Sequence, residues 1–292
     1  MLAGGKTVLI QKGGYQAKFV SVGGGICALT YKGRNIALPH DPDEVPLAHL
    51  GKILLPWPNR IKNATYEFEG VTYTLPVTEA RTGSASHGLT AWKEWQIEDL
   101  TESSVLLTTM VTAVAGYPFT LKAFVCYTLT DDGLHCTISA VNVGSRAAPY
   151  GVGQHPYITC DGEVLDNCTL TFPCSELFEV DEKMCPVKLA PAAASGLDFQ
   201  AERSLKDVKI DHAYKNPGGE CCVSLKGNGL EVCMYTKAPY IQLFTAEKLK
   251  RAGLAVEPMS CPANAFNSKT DLIVLKPGDS HSLSYRISAR EI

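Results

Sequence analysis

The segment from Phe119 to Asn142 constrains the fold of this chain more strongly than any other part of the sequence. Its first half carries apolar side chains at every second position, at Phe119, Leu121, Ala123, Val125, Tyr127 and Leu129. After Asp131, Asp132 and Gly133 the alternation resumes, at Leu134, Cys136, Ile138 and Ala140. Successive side chains of a strand point to opposite faces, so the pattern predicts a β-hairpin with strands of about ten residues, where five or six is usual. Long alternating strands favour large antiparallel sheets that pack face to face.

Shorter segments repeat this strand pattern, and helical periodicity is nearly absent. Tyr15, Ala17 and Phe19 alternate with polar neighbours, and residues 66–75 read as a second hairpin that turns at Glu69 and Gly70. Residues 190–202 are predicted to form a short helix or an ordered loop. No linker, repeat or charge block divides the chain, and its 292 residues suit one all-β domain. We therefore predict an all-β fold, a large antiparallel β-sandwich with few short helices, as a single domain over residues 1–292.

Charge and cysteine usage narrow the class of partner and the compartment. The 27 Lys and Arg against 30 Asp and Glu give a net charge of −3, which offers no reason to bind nucleic acid or an anionic membrane. A neutral small molecule is the expected partner. The 11 cysteines are scattered without a C-x-x-C pair, which favours buried, reduced thiols. Residues 1–6 lack a signal-peptide core and no 18-residue apolar run exists, so a cytoplasmic protein is expected.

Two histidines and one carboxylate, far apart in sequence, are candidates for acid/base chemistry. His155 lies beside Pro156, in a loop-like position where a helix is disfavoured, and imidazole can donate a proton near neutral pH. His87 precedes Gly88, which leaves room for a ligand, although a structural histidine fits this context equally well. Glu257 follows an apolar run, where partial burial would raise its pKa and suit it as a base. Four other histidines lack such surroundings and are predicted to be non-catalytic: His40, His49, His135 and His281.

Two further residues suggest contacts to hydroxyl groups or anions. Arg60 follows a rigid Pro-Trp-Pro-Asn segment, which favours a ligand contact over a surface arginine. Asp211 could accept two sugar hydroxyls, but its spacing alone favours a turn or cap. No short metal-ligand spacing, Gly-rich phosphate loop or nucleophile elbow is present, so neither a metal nor a cofactor is predicted.

Taken in chain order, these residues resemble the aldose 1-epimerase (galactose mutarotase) family. The matching segments are Asn59-Arg60-Ile61, Tyr66 to Leu75, His87-Gly88, His155-Pro156-Tyr157, Asp211-His212-Ala213-Tyr214 and Glu257-Pro258. No single segment is specific, but their order is, and the likeness extends over nearly the whole chain. The resemblance implies a galactose-mutarotase-like β-sandwich with an open sugar cleft and no cofactor.

The resemblance also implies roles at individual positions. Glu257 matches the general base of the family and His155 its general acid, while His87 matches a second histidine that contacts the sugar near the reacting centre. The remaining matches are implied to bind the substrate: Asn59, Arg60, Asp211, Gln242 and Phe244. The expected activity is therefore interconversion of the α and β anomers of a free aldose, by a monomer or homodimer.

The chain departs from the family pattern beside these positions. Pro58 stands where Ala is often found, Leu89 follows His87-Gly88 where the family has a second Gly, and an Asn shortly before His87 is missing. These departures indicate a bacterial side branch and bear on the sugar more than on the chemistry. A phosphorylated or sulfonated sugar is one alternative, with Arg60, Arg81 and Lys52 as candidate cations that nothing in the sequence gathers. A non-catalytic sugar-binding protein is the other.

Overall fold

Antiparallel β-strands dominate the computed structural model of the protein, which describes residues 3–292. Met1 and Leu2, part of the N-terminal segment on which the expected compartment partly rests, lie outside the described residues. The first strands are β1 Thr7–Lys12, β2 Tyr15–Val20, β3 Gly25–Tyr31, β4 Arg34–Ala37, β5 Ile53–Leu54, β6 Arg60–Ile61, β7 Thr65–Phe68, β8 Val71–Thr74, β9 Ala85–Ser86, β10 Gln96–Leu100, β11 Ser104–Val111, β12 Leu121–Thr130 and β13 Gly133–Asn142. The later strands are β14 Ala148–Tyr150, β15 Gly153–Gln154, β16 Tyr157–Ile158, β17 Thr169–Thr171, β18 Glu176–Val180, β19 Pro186–Pro191, β20 Arg203–Ser204, β21 Asp211–Lys215, β22 Cys221–Gly227, β23 Leu230–Thr236, β24 Tyr240–Phe244, β25 Leu254–Met259, β26 Ile273–Leu275 and β27 Ser280–Glu291.

Helices are few and short in the described part of the chain. One α-helix, α1, spans Ala265–Ser268. The 3₁₀ segments are Leu47–His49, Lys62–Ala64, Leu165–Asn167, Ala192–Ser195 and Glu247–Leu249. None of the helices formed by residues 3–292 combines the length and the apolar character needed to cross a membrane.

Two large sheets form the body of the molecule. The first has 12 strands, ordered β1-β2-β3-β4-β16-β25-β24-β21-β18-β19, with β15 and β5 attached beside β25. The second has 9 strands, ordered β10-β11-β12-β13-β27-β23-β22-β17-β20. Apolar residues of both sheets share one buried core, and Phe19 of β2 stacks on Tyr127 of β12 with ring centroids 4.2 Å apart. The predicted antiparallel β-sandwich is confirmed.

The long hairpin predicted from residues 119–142 is present as β12 and β13. Each strand has 10 residues, and the register runs from Leu121 opposite Asn142 to Thr130 opposite Gly133. The turn is therefore shorter than predicted, because Gly133 already pairs as the first residue of β13. The first strand also begins at Leu121, two positions after Phe119. Every second residue of β12 is buried, as the alternation required.

The smaller sequence predictions also correspond to elements of the structure. β7 and β8 form the second hairpin, closed by Glu69 and Gly70, whose φ angles of 50° and 75° suit a tight two-residue turn. The 190–202 segment begins as the end of β19 and continues as the 3₁₀ turn Ala192–Ser195 and an irregular loop. All 11 cysteines are free thiols and nine of them are buried, in agreement with the expected chemistry of the thiols.

The two faces of the first sheet have different uses. Ile241, Leu243 and Val256 belong to the core shared with the second sheet. Their neighbours along β24 and β25, Gln242 and Glu257, point to the opposite face because side chains alternate along a strand. This outer face, crossed by loops from the chain between β4 and β10, forms the floor of a cleft.

Candidate active site

Strand register places three polar side chains next to one another on the outer face of the first sheet. Gln242 of β24 lies directly opposite Glu257 of β25, and Asp211 of β21 lies opposite Phe244 of β24. Glu257 is only 2% exposed although it is a carboxylate. These residues form the floor of a cavity with a volume of about 500 Å³. A cavity of this size can bury a small polar ligand.

His155 projects into the same cavity from a break between β15 and β16. Its backbone is held on both sides, since its N–H donates to the Lys52 carbonyl at 3.0 Å and its carbonyl accepts from Gly51 N–H at 2.9 Å. The residue is 5% exposed, and its Nε2 lies 3.4 Å from Oε1 of Glu257. The proposed acid and base, distant in sequence, therefore face each other across one cleft.

His87 forms the other wall of the reaction centre. It follows the short strand β9 with a φ of 64°, and its backbone N–H donates to the Asn59 carbonyl at 2.8 Å. Its ring centroid lies 5.3 Å from that of His155. At Gly88, a Cβ atom would lie 2.3 Å from the Leu55 carbonyl oxygen, so only glycine permits this close approach of the two chains.

Burial controls the electrostatics of these three groups. Desolvation lowers the pKa of His155 and of His87 well below the ordinary imidazole value of 6.5. Desolvation also raises the pKa of Glu257 well above 4.5, and the neighbouring Asp211 carboxylate raises it further, while Arg60 opposes this. Nδ1 of both histidines and Oε2 of Glu257 have no hydrogen-bond partner among residues 3–292. Unpaired buried polar atoms are rare in folded proteins, and three of the eight among the described residues lie at this site.

A chain of hydrogen bonds connects the predicted substrate-binding residues. Arg60 donates through Nε and Nη2 to the two carboxylate oxygens of Glu79, at 2.5 and 3.0 Å, and through Nη1 to Oδ1 of Asn59 at 3.1 Å. Asn59 donates to Oε1 of Gln242 at 3.4 Å, and Gln242 donates to Oδ1 of Asp211 at 2.7 Å. These contacts fix the side-chain orientation of the whole row along the cleft.

The structure brings together every residue that the sequence indicated for the site. The cavity is lined by Asn59, Arg60, His87, His155, Asp211, Gln242, Phe244 and Glu257. Of the suggested cations, Arg81 also lines the cavity but Lys52 does not. Lys52 is fully buried outside it, where its Nζ donates to the Val22 carbonyl at 2.6 Å and burial lowers its pKa to about 8. The suggestion of Lys52 as a cleft cation is therefore wrong.

Sequence reasoning missed several residues of the cavity wall, of which His49 is the clearest. It was set aside as non-catalytic, yet it lines the cavity with its ring centroid 4.5 Å from His87 and 6.4 Å from His155. Ala48 and His49 both have positive φ, near 50°, which turns the ring inward. Nothing in the local sequence signals this turn. The sequence does not indicate Glu79 either, because its partner Arg60 lies 19 residues away and no local pattern joins the two.

Carboxylates and cations share the cavity wall. The positive side chains are Arg60, Arg81 and Lys248. The carboxylates are Glu79, Asp211, Glu247 and Glu257. In the part of the chain that the structure describes, no three His, Cys, Asp or Glu side chains are grouped as ligands for a metal ion would be.

A buried imidazole–carboxylate pair in a polar cleft on a β-sandwich defines an enzyme equipped to move protons on a small molecule. Comparison with known proteins narrows this class. The sequence model of the aldose 1-epimerase family matches residues 6–288, and the chain belongs to that family. The protein is thus an isomerase of the epimerase type with a mutarotase-type function.

Individual relatives agree with this assignment. The chain is 43% identical to the uncharacterized protein YihR of Escherichia coli K12, and the match covers 98% of this chain and 94% of YihR. It is 28% identical to an aldose 1-epimerase of the same organism, over 69% of this chain and 64% of that one. A solved GalM/aldose epimerase homologue from C. elegans superposes with a TM-score of 0.87 at 22% identity, covering 98% of this chain and 99% of that chain. The last comparison supports the fold.

Proposed function

We propose that the protein is an aldose 1-epimerase that interconverts the α and β anomers of a free aldose by acid/base ring opening. The observation that carries the proposal is the approach of Nε2 of His155 to 3.4 Å from Oε1 of Glu257, inside a cavity large enough for one sugar ring. A general acid and a general base must lie within hydrogen-bond reach of the atoms they serve. Two such groups side by side, one facing O5 and the other O1 of a hemiacetal, are sufficient for this reaction.

The proposed mechanism uses one proton transfer at each end of the hemiacetal. Glu257 removes the proton from the anomeric hydroxyl O1 while His155 donates a proton to the ring oxygen O5. The C1–O5 bond breaks, its electron pair goes to O5, and an open-chain aldehyde forms. Rotation about C1–C2 presents the other face of the carbonyl, and the reverse transfers close the ring as the second anomer.

The environment of the two groups favours the neutral form of each. Burial disfavours the ionised form of both, since it lowers the pKa of His155 and raises that of Glu257. Both shifts favour the uncharged arrangement of the pair, in which Glu257 holds a proton and His155 is neutral. The reactive form has the proton on His155 and the negative charge on Glu257, and a sugar whose O5 faces His155 and whose O1 faces Glu257 connects the two groups.

The surrounding row of polar residues supports sugar binding. Arg60 and Asp211 offer a donor fork and an acceptor for vicinal hydroxyls, and Gln242 and Asn59 hold them in place. Phe244, which is partly buried on the cleft floor, provides an apolar surface for a face of the ring. His87 is uncharged at neutral pH because burial lowers its pKa, which suits a hydrogen-bond contact near C1.

Anomerisation of freshly dissolved α-glucose and α-galactose, followed by polarimetry, tests the proposal. Wild type should accelerate the reaction, and Glu257→Gln and His155→Asn should each lower kcat by about 10²–10⁴-fold. His135→Asn, an exposed histidine on the second sheet, is the matched control and should retain wild-type activity. If both cleft variants run as fast as wild type on an accepted sugar, the assignment is wrong. Sugar binding without any acceleration by wild type would indicate a binding protein.

A sugar with an anionic substituent is a second candidate substrate. Arg81 and Lys248 line the cavity and are exposed, so both are available to a phosphate or sulfonate group at the mouth. Arg81 is only loosely paired, with its Nη2 3.5 Å from Glu79. Comparing kcat/KM for neutral hexoses with that for hexose 6-phosphates and 6-sulfonates decides between the candidates. Arg81→Gln and Lys248→Gln should reduce kcat/KM for the anionic sugars alone if this candidate is correct.

A further inference from the structure

We propose that Glu79 is a positioning residue, which holds the Arg60 guanidinium in the orientation used to bind substrate. The inference rests on the proposed function, because it assigns Arg60 to the substrate. Glu79 belongs to none of the segments that carry the family resemblance. It lies in the irregular chain between β8 and β9 and lines the cavity beside Arg60.

The contact between the two side chains is bidentate and largely shielded. Two parallel N–H···O bonds of 2.5 and 3.0 Å join them, and the exposed fractions of the side chains are 12% for Arg60 and 24% for Glu79. Thr82 holds the carboxylate from the other side, since its hydroxyl donates to Oε2 of Glu79 at 2.7 Å. Bidentate arginine–carboxylate pairs are strong and fix the plane of the guanidinium.

Glu79 remains ionised throughout the pH range in which the enzyme can work. Burial alone raises its pKa, but the hydrogen bonds and the charge of Arg60 outweigh this and lower the pKa to about 2. The carboxylate is therefore a permanent partner of Arg60 and takes no part in the proton transfers.

This pairing determines which donors of Arg60 remain free. A guanidinium has five N–H groups. Glu79 accepts two of them and Asn59 accepts one, so two remain, one on Nη1 and one on Nη2. Both terminal nitrogens therefore keep a donor for a sugar hydroxyl in the cavity that Arg60 lines.

Without Glu79, Arg60 would have other carboxylates to pair with. The charges of Asp211 and Glu257 both act on the Arg60 guanidinium. An unrestrained guanidinium would turn toward these two groups and occupy the residues assigned to the substrate and to the base. Glu79 thus keeps the cation beside the reaction centre and out of it.

The test is a double-mutant cycle with Glu79→Gln and Arg60→Lys, in which kcat and KM for the best accepted sugar are measured separately. Loss of a hydrogen bond to a charged group costs about 1.5–3 kcal/mol, so Glu79→Gln should raise KM by about 10–100-fold. The value of kcat should change by less than about threefold, since the loss affects binding in the ground and transition states alike. In the Arg60→Lys background, Glu79→Gln should cause no further increase of KM, because Glu79 acts on the substrate only through the Arg60 guanidinium. Glu67→Gln, on the exposed face of β7, is the control.

Three results would overturn the inference. The first is a KM for Glu79→Gln equal to that of wild type. The second is a large decrease of kcat together with the increase of KM. The third is an increase of KM in the double variant equal to the product of the increases in the two single variants. Thr82→Val provides a second variant if Glu79→Gln does not fold, since it frees the carboxylate from one side and should raise KM in the same direction by a smaller factor. A wild type that accelerates no sugar overturns the proposed function, and the inference with it. An active wild type with an unaffected Glu79→Gln overturns the inference alone.

Discussion

At the scale of single residues, the chemistry of the site depends on burial acting in opposite directions on two groups. Removal from water favours the neutral form of both, so the imidazole of His155 loses affinity for a proton and the carboxyl of Glu257 gains it. The two groups then compete for one proton across 3.4 Å. Neither group is therefore expected to titrate near its ordinary pKa value.

The pH dependence of kcat/KM should reflect this pair. The singly protonated pair is active, so the rate should hold across neutral pH and fall on both sides. On the acid side a second proton reaches the pair, and because the pKa of His155 is lowered, this occurs below pH 6.5. On the alkaline side the last proton leaves, at a pH well above the ordinary carboxyl value of 4.5 because the pKa of Glu257 is raised. A pH series of kcat/KM for wild type and Glu257→Gln checks this prediction, since the acid limb should vanish in the variant, where only loss of the His155 proton remains to lower the rate. Identical limbs in both proteins would contradict it.

At the scale of secondary structure elements, a single turn before β5 supports the position of His155. Gly51 has a φ of 77°, and its backbone N–H donates to the His155 carbonyl at 2.9 Å. Its carbonyl accepts from Ile26 N–H at 3.2 Å and from the side chain of Gln154 at 2.9 Å. Through these contacts the Gly51 turn links Gln154 of β15 and the following His155 to Ile26 of β3.

Gly51→Ala should destabilise the protein and displace His155. A Cβ atom would lie 2.0 Å from the Ile26 carbonyl oxygen, so the backbone must move, in addition to the strain of a positive φ. We expect a loss of about 2–5 kcal/mol in the free energy of unfolding, together with reduced kcat. Urea denaturation and anomerisation assays measure the two effects.

Gly70→Ala is the matched control for this substitution. Gly70 has nearly the same φ, 75°, but no atom lies within 4 Å of its added Cβ. It should lose only about 1–2 kcal/mol and keep full activity. Equal destabilisation of the two variants would show that close packing at Gly51 has no role.

At the scale of the whole molecule, a buried polar network joins the two sheets directly behind the site. Gln154, which precedes His155, donates to the hydroxyl of Tyr127 at 2.6 Å and accepts from the hydroxyl of Tyr285 at 2.6 Å. The two tyrosines belong to the second sheet, whereas Gln154 belongs to the first. Satisfied networks of this kind stabilise one arrangement of a core. The distance between the sheets and the placement of His155, the proposed acid, are thus coupled.

Removal of one hydroxyl from this network should lower both stability and activity. Tyr285→Phe leaves the carbonyl oxygen of Gln154 with only a weak contact, 3.4 Å from Sγ of Cys136. We expect a loss of about 1–3 kcal/mol in the free energy of unfolding, measured by urea denaturation, and a smaller decrease of kcat. Tyr235→Phe, on the outer face of the second sheet, serves as the control and should change neither quantity. A wild-type midpoint for Tyr285→Phe would argue against the coupling.

Local periodicity explains how much of the fold was predictable. The alternation from Phe119 to Asn142 is a property of neighbouring residues, and it led to the hairpin of β12 and β13 with an error of two positions at one end. The sheet order, in which β16 lies between β4 and β25, depends on contacts between distant segments and leaves no mark on a single strand. The β-sandwich class was therefore predictable from the sequence, but the order of the strands within its sheets was not.

The same division holds for the site. The sequence by itself determined the β-sandwich class and its long hairpin, because strand periodicity is a local property. Through side-chain chemistry and the family resemblance it also indicated the residues to which we assign the proposed acid and base. Only the tertiary structure decided that His49 and Glu79 lie in the cleft and that Lys52 does not. It also decided that His155 and Glu257 meet in a buried environment. Burial and charge proximity depend on which segments pack together, and these two quantities control the pKa values on which the proposed chemistry depends.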